Sequence, residues 1–243
     1  MSSAIFVLGA AGGVGSALCR ELHARGDRLA LAGRDPERLA GLASELGATA
    51  VPLEDGTMAS ISGAVASAAE ALGGLDGAVC CAGSLLLKPA HRTTDEEYRA
   101  TLAANLDAAF AVVRGASQAM LRTGGSIVLV SSAAARLGLA NHEAIAAAKA
   151  GIEGLTRAAA ASGAPRGIRV NAVAPGLTRT PLTEGLLSAP ASETASVAMH
   201  ALGRLGEPED VARAIAWLLD PAQSWVTGQV IGVDGGLGSV RAR

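Results

Sequence analysis

The sequence predicts one α/β domain built on a doubly wound parallel sheet, and three observations carry that expectation. Short apolar runs alternate with helical segments along the whole chain, a glycine-rich turn directly follows the first run, and no linker, repeat or low-complexity tract interrupts the alternation. With 243 residues, 50% of them hydrophobic, and 31 glycines, the chain is long enough to bury one sizeable core. The expected unit is therefore a single domain spanning 1–243.

The runs Ile5 to Leu8, Leu29 to Ala32, Ala50 to Leu53, Ala78 to Cys81, Ile127 to Val130, Val170 to Ala174 and Val230 to Val233 supply seven strands. Gly and Pro fall at the apparent turns between them. Helix starts are marked locally: Asp35 precedes Pro36 as a cap before a first-turn proline, and Thr94 with Glu97 has the form of a capping box. Long helices are expected from Thr94 to Leu121 and from Glu143 to Ser162.

Composition narrows the partners. A formal charge of -2 offers no basic surface for nucleic acid or anionic membrane. No uncharged apolar stretch reaches the ~18 residues a span requires, and Met1 to Ala10 lacks the basic start of a signal peptide. The expectation is a soluble, cytoplasmic protein. Cys19, Cys80 and Cys81 are an odd number on an apparent helix and strand, which suits small core residues in a reducing compartment rather than a disulfide framework. His23, His91 and His200 show no ligand spacing, so no metal is expected.

The turn Gly9-Ala10-Ala11-Gly12-Gly13-Val14-Gly15 is the first chemical motif. Gly9, Gly13, Val14 and Gly15 place a sharp backbone turn at the start of a helix, whose free N–H groups and positive dipole end suit a pyrophosphate. That context makes the sheet a dinucleotide-binding Rossmann fold. At the end of the second strand, Gly33 stands where an acid would select NAD. Arg34 beside it can hold a 2'-phosphate through charge-assisted bonds, so NADP is expected, with NADPH preferred over NADH.

Further along, Ser131 and Ser132 end an apolar run, and Ile145 precedes Lys149 by one helical turn. Ser132, position 145 and Lys149 have the Ser-x12-Tyr-x3-Lys spacing of the short-chain dehydrogenases, which the chain resembles nearly end to end, with isoleucine in place of the catalytic tyrosine. Within that family it is similar to the 3-oxoacyl-(acyl carrier protein)-reductase-like subgroup. The resemblance implies that Asp55 holds the adenine, although Glu54 fits that place as well. It also implies that Ala82 and Gly83 pass close to the cofactor where Cys80 and Cys81 replace two asparagines. Asn105 would stand behind Lys149 in a water relay. Pro175, Gly176, Thr178 and Thr180 would lie over the nicotinamide, Thr178 through its backbone and Thr180 through its hydroxyl. A homotetramer follows from the same likeness.

Of the 20 basic residues, Lys88 and Lys149 are the two lysines and the rest are arginines. Lys149 thus reads as chosen, because a lysine can hydrogen-bond a ribose and pass protons while an arginine does not release one. Ser132 can donate to a substrate oxygen. For the missing phenol the candidate is His142, just before the helix of Lys149, as an acid or, kept neutral, as a hydrogen-bond donor; a Lys149-linked water is the other route. Tyr98, the one tyrosine, lies too far along its helix, and Glu143 is a better cap than acid. Ala133, Ala134, Leu139, Ile145, Leu182, Leu186 and Leu187 suggest an apolar substrate pocket, with a lid around 180–205.

Two functions fit. One is an NADP(H)-dependent oxidoreductase of low activity that passes hydride between nicotinamide and a carbonyl or alcohol with a non-standard proton donor. The other is a catalytically silent nucleotide-binding subunit or sensor.

Overall fold

The structure, a computed structural model, describes residues 2–240. Seven strands, β1 Ala4–Leu8, β2 Arg28–Gly33, β3 Thr49–Pro52, β4 Gly77–Cys80, β5 Gly125–Val130, β6 Ile168–Pro175 and β7 Val230–Val233, form one sheet. All pairings are parallel, in the order β3-β2-β1-β4-β5-β6-β7. The order reverses direction between β1 and β4, and such a switch point opens a crevice at the carboxyl ends of the strands.

The helices are α1 Gly13–Ala24, α2 Pro36–Leu46, α3 Met58–Leu72, α4 Asp95–Leu102, α5 Ala108–Ala119, α6 Glu143–Gly163, α7 Glu184–Leu187, α8 Pro190–Met199 and α9 Pro208–Leu219. Side chains alternate across a strand, so β1 feeds both layers. Phe6 and Leu8 join a core with α3, α5 and α6, and Ile5 and Val7 join another with α1, α2 and α9. Small residues let the helices sit close: a Cβ on Gly115 of α5 would fall 3.0 Å from Val65 Cβ of α3. Each fully buried Leu, Ile or Val in these layers contributes about 1.5–3 kcal/mol.

The expected helix starts are present. Asp35 accepts the Arg38 N–H at 3.0 Å ahead of Pro36. Thr94 and Glu97 exchange bonds at 3.2 and 2.9 Å. The single helix expected from Thr94 to Leu121 is instead broken by a π turn, Ala103–Asp107, between α4 and α5. There the Asn105 Nδ2 donates to the Thr101 carbonyl at 2.9 Å, so a side chain takes an acceptor of the helix ladder. The three cysteines are free, with Cys19 and Cys80 buried and Cys81 half-buried. Among the described residues no helix is long and apolar enough to cross a membrane.

Candidate active site

A cavity of about 810 Å³ opens at the carboxyl ends of the strands, a size suited to a cofactor and a small substrate together. Its nucleotide end is made by the turn between β1 and α1. Gly9 has φ +78, and a Cβ there would fall 2.6 Å from the Ala82 nitrogen, while one on Gly15 would fall 2.1 Å from the Gly9 carbonyl oxygen. Only glycine allows this turn and this contact with the chain after β4. The N-terminus of α1 has no side-chain cap, and Gly12, Gly13, Val14 and Gly15 all line the cavity. Uncapped N–H groups and the positive helix end fit a pyrophosphate.

Arg34 also lines this end, together with Arg38, whose guanidinium donates to the Ala11 carbonyl at 3.0 Å. Asp35, expected as a cap, is engaged by the Arg38 backbone. Asp55 does not line the cavity; its carboxylate accepts from Thr57 N at 2.9 Å and Thr57 Oγ1 at 2.7 Å. The neighbouring Leu53 and Gly56 line it instead. At the other end, the segment after β6 folds onto the glycine turn: a Cβ on Gly13 would meet Thr180 Cγ2 at 2.8 Å. Thr183 Oγ1 donates to the Thr178 carbonyl at 2.5 Å and lies 3.1 Å from Thr180 Oγ1, which holds Pro175, Gly176, Thr178 and Thr180 in one loop along the cavity. These residues fit a nicotinamide dinucleotide.

Ser132, Asn105, His142, Ile145 and Lys149 converge on the same cavity. Lys149 is 8% exposed, and its Nζ donates to the Val130 carbonyl at 2.9 Å. Burial lowers its pKa to about 8. Burial raises the thiol of Cys80 to about 11 and that of Cys81 well above its usual value, so both are neutral near pH 7 and give Lys149 no counter-charge. Ser131, behind Ser132, donates to the Lys149 carbonyl at 3.1 Å, and Glu153 beside it takes the Arg136 Nε at 3.0 Å, which pins α6 to the end of β5.

Asn105 and Lys149 approach Gly83 together: a Cβ there would lie 2.8 Å from Asn105 Oδ1 and 3.6 Å from Lys149 Nζ. The Asn105 Nδ2 also donates to Ser84 Oγ at 3.1 Å. Ser132 Oγ accepts the Ala134 N–H at 3.2 Å, which leaves its own proton free to donate.

A family model described as enoyl-(acyl carrier protein) reductase matches residues 9–238. The chain belongs to the short-chain dehydrogenase/reductase family. Galactitol 2-dehydrogenase (L-tagatose-forming) of Cereibacter sphaeroides is 38% identical over 95% of the chain and 92% of its own length. A 3-oxoacyl-(acyl carrier protein) reductase of Thermotoga maritima is 45% identical over 60% of the chain and 59% of its own. A solved short-chain type dehydrogenase/reductase from Mycobacterium ulcerans superposes with a TM-score of 0.93 at 32% identity, covering 100% of the chain and 93% of that structure. This is a family of oxidoreductases that bind NAD(H) or NADP(H).

In this short-chain dehydrogenase the wall one turn before Lys149 is the buried side chain of Ile145, 3% exposed. His142 stands at the N-terminus of α6, after Asn141 in the left-handed region at φ 64. Its Nδ1 lies 2.8 Å from the Ala140 carbonyl, and since a carbonyl only accepts, Nδ1 carries the proton. Neutral His142 therefore presents a lone pair at Nε2. The neutral hydrogen-bond donor expected from the sequence is not available in this arrangement; His142 can take a proton when neutral and give one only as imidazolium.

Around the substrate end, Ala133, Ala134, Leu139, Ile145, Leu182 and Leu186 line the cavity, joined by Leu85, Leu87, Met199 and Leu237. Leu187 faces a separate depression with Glu184 and Ser188. Ser84, Arg38, Thr183 and His200 were not singled out by sequence reasoning, because each acquires its place through a partner distant in the chain or through the irregular loops. Among the described residues no cluster of potential metal ligands forms.

Proposed function

We propose that the protein is an NADP(H)-dependent oxidoreductase that interconverts an apolar, uncharged ketone or aldehyde and its alcohol, with a proton route that does not pass through a tyrosine. The observation that carries this reading is the convergence of the uncapped α1 terminus, Arg34, Ser132 and Lys149 on one cavity. Bound nicotinamide would supply or accept the hydride.

The chain's own groups do the rest. Arg34 and Arg38 provide positive charge where a 2'-phosphate would sit. Ser132 directs its hydroxyl proton to the substrate oxygen, and the apolar side chains of Leu139, Ile145, Leu182 and Leu186 exclude water and offer no partner for a charged substrate. Lys149, buried and with a pKa of about 8, holds a proton that can reach the oxygen through a water near Asn105. His142 Nε2 supplies the alternative route, taking a proton during alcohol oxidation and returning it as imidazolium. Segment 180–205 closes the substrate end as a lid, and the homotetramer and cytoplasmic location belong to the same proposal. Similarity to an acyl carrier protein reductase makes a 3-oxoacyl thioester one member of the substrate panel, beside plain apolar ketones.

The test is direct binding followed by turnover. Fluorescence titration with NADPH and NADH, then a panel of apolar, charged and polyhydroxy carbonyls, should give tight NADPH binding and slow reduction confined to the apolar members. Tight NADPH binding with no turnover on any carbonyl or alcohol would make the silent-subunit reading the correct one.

A further inference from the structure

His200 lies at the junction between α8 and the loop after β6, and it is 4% exposed although it lines the cavity. Both ring nitrogens are engaged with backbone. Nδ1 is 2.7 Å from the Ser196 carbonyl and so carries the proton, whereas Nε2 accepts the Leu177 N–H at 3.2 Å. One donor and one acceptor are both needed, and only the neutral tautomer protonated at Nδ1 provides them. The fit is close on every side. A Cβ on Gly176 would fall 2.7 Å from Nε2, and Gly235 packs within 3.6 Å of the ring, measured from its own would-be Cβ. Leu202 N–H donates to the Gly235 carbonyl at 3.0 Å and closes the far side.

We infer that His200 is a positioning residue that couples the substrate end of the cavity to the nicotinamide end. Its neutral imidazole ties α8, which carries Ser192, Ser196 and Met199 into the cavity, to Leu177, between Gly176 and Thr178. Movement of α8 thereby shifts the loop that would face the nicotinamide, and ordering of that loop draws α8 over the substrate. An apolar residue of similar size would fill the space without linking the two segments.

Protonation breaks the link. A proton on Nε2 would point at the Leu177 N–H, placing two donors face to face. The charged side chains on the segments packed around the ring already have partners: Glu193 of α8 pairs with Arg179, Arg204 pairs with Asp210, and the Asp234 carboxylate accepts the N–H groups of Gly236 and Gly238. No free carboxylate among them stands ready to stabilise an imidazolium. Acid should therefore release the loop and α8 together.

The inference rests on reading the Pro175–Thr180 loop as the nicotinamide loop, so its test uses the cofactor-free protein first. Amide hydrogen exchange at Leu177 and across Pro190–Met199 would be compared at about pH 8 and about pH 5.5, after correction for intrinsic rates, in wild type, His200→Leu and His200→Gln. Wild type should lose ~10-fold or more protection in both segments on acidification; His200→Leu should be equally unprotected at both pH values, and His200→Gln should recover part of the protection. Protection that is independent of pH in wild type, or unchanged in a folded His200→Leu, would overturn the inference. Should His200→Leu fail to fold, ¹⁵N imidazole shifts of the wild type decide, since a proton found on Nε2 near neutral pH contradicts the link. In a second step NADPH affinity should weaken ~10-fold in His200→Leu and by pH in the wild type alone. Intact exchange behaviour without NADPH binding would sink the cofactor reading and leave the coupling standing.

Discussion

Lys149 Nζ donates to the Val130 carbonyl at 2.9 Å, so the cation of α6 is held against the end of β5, two residues before Ser132. The two groups proposed to act on a substrate oxygen thus both sit at the end of one strand. Among the described residues Lys149 has no carboxylate partner; burial, rather than ion pairing, governs its charge.

That burial sets a pH dependence of stability. The Lys149 pKa lies at about 8 in the folded state against 10.5 for the free side chain, so the unfolded chain binds more protons between these values. Stability should therefore rise as pH climbs from about 8 to about 10.5, by about 3 kcal/mol at most. Urea melts across this range should show the rise in wild type and lose it in Lys149→Met. A rise of equal size in the variant would show that Lys149 is not the group responsible.

Cofactor preference should follow Arg34. Arg34→Ala is expected to weaken NADPH binding about 10- to 100-fold, the weight of one or two charge-assisted bonds, while leaving NADH nearly unchanged. Fluorescence titration checks it, and equal losses for both cofactors would place Arg34 away from the 2'-phosphate.

His142→Ala should lower turnover on an accepted substrate by ~10²-fold or more with NADPH affinity little changed, if His142 carries the proton. Unchanged kcat in both directions would assign the proton to the Lys149 route.

Ile145→Tyr places a phenol on the cavity wall one turn before Lys149, whose positive charge would lower the phenol pKa. NADPH-dependent reduction of an activated ketone should rise by ~10²-fold over wild type. A stable, NADPH-binding variant with no gain would show that this wall does not face the reacting carbon.

Assembly is the last expectation. Phe110, Tyr98 and Trp217 are 47%, 43% and 44% exposed on α5, α4 and α9, and the proposed homotetramer would be expected to cover some of them. Light scattering at micromolar concentration should report four chains, and a stable monomer would contradict it.

What the sequence determined by itself was everything encoded by neighbours along the chain. Apolar runs of strand length, separated by helical stretches, led to the seven parallel strands, because only a sheet covered on both faces buries such runs. The turn from Gly9 to Gly15 announced its chemistry, since tight backbone geometry needs glycine at given spacings; Ile145 and Lys149 lie one helical turn apart, and Ser132 was joined to them by the family resemblance. Asp35 and Thr94 acted as caps because capping is local.

Tertiary structure alone decided the rest. The π turn at Asn105 had no signature, as its residues suit an ordinary helix equally well, and the side-chain bond to Thr101 that marks it is visible only once the chain is folded. Asp55 matched a family position, yet its carboxylate is taken up by Thr57 and does not line the cavity. Arg136 with Glu153, Thr180 with Gly13, and His200 with Leu177 join segments that carry no shared period, and their chemistry depends on distances no spacing rule encodes. A histidine without a ligand pattern thus acquires a role only when the backbone around it supplies one acceptor and one donor, each at hydrogen-bond distance.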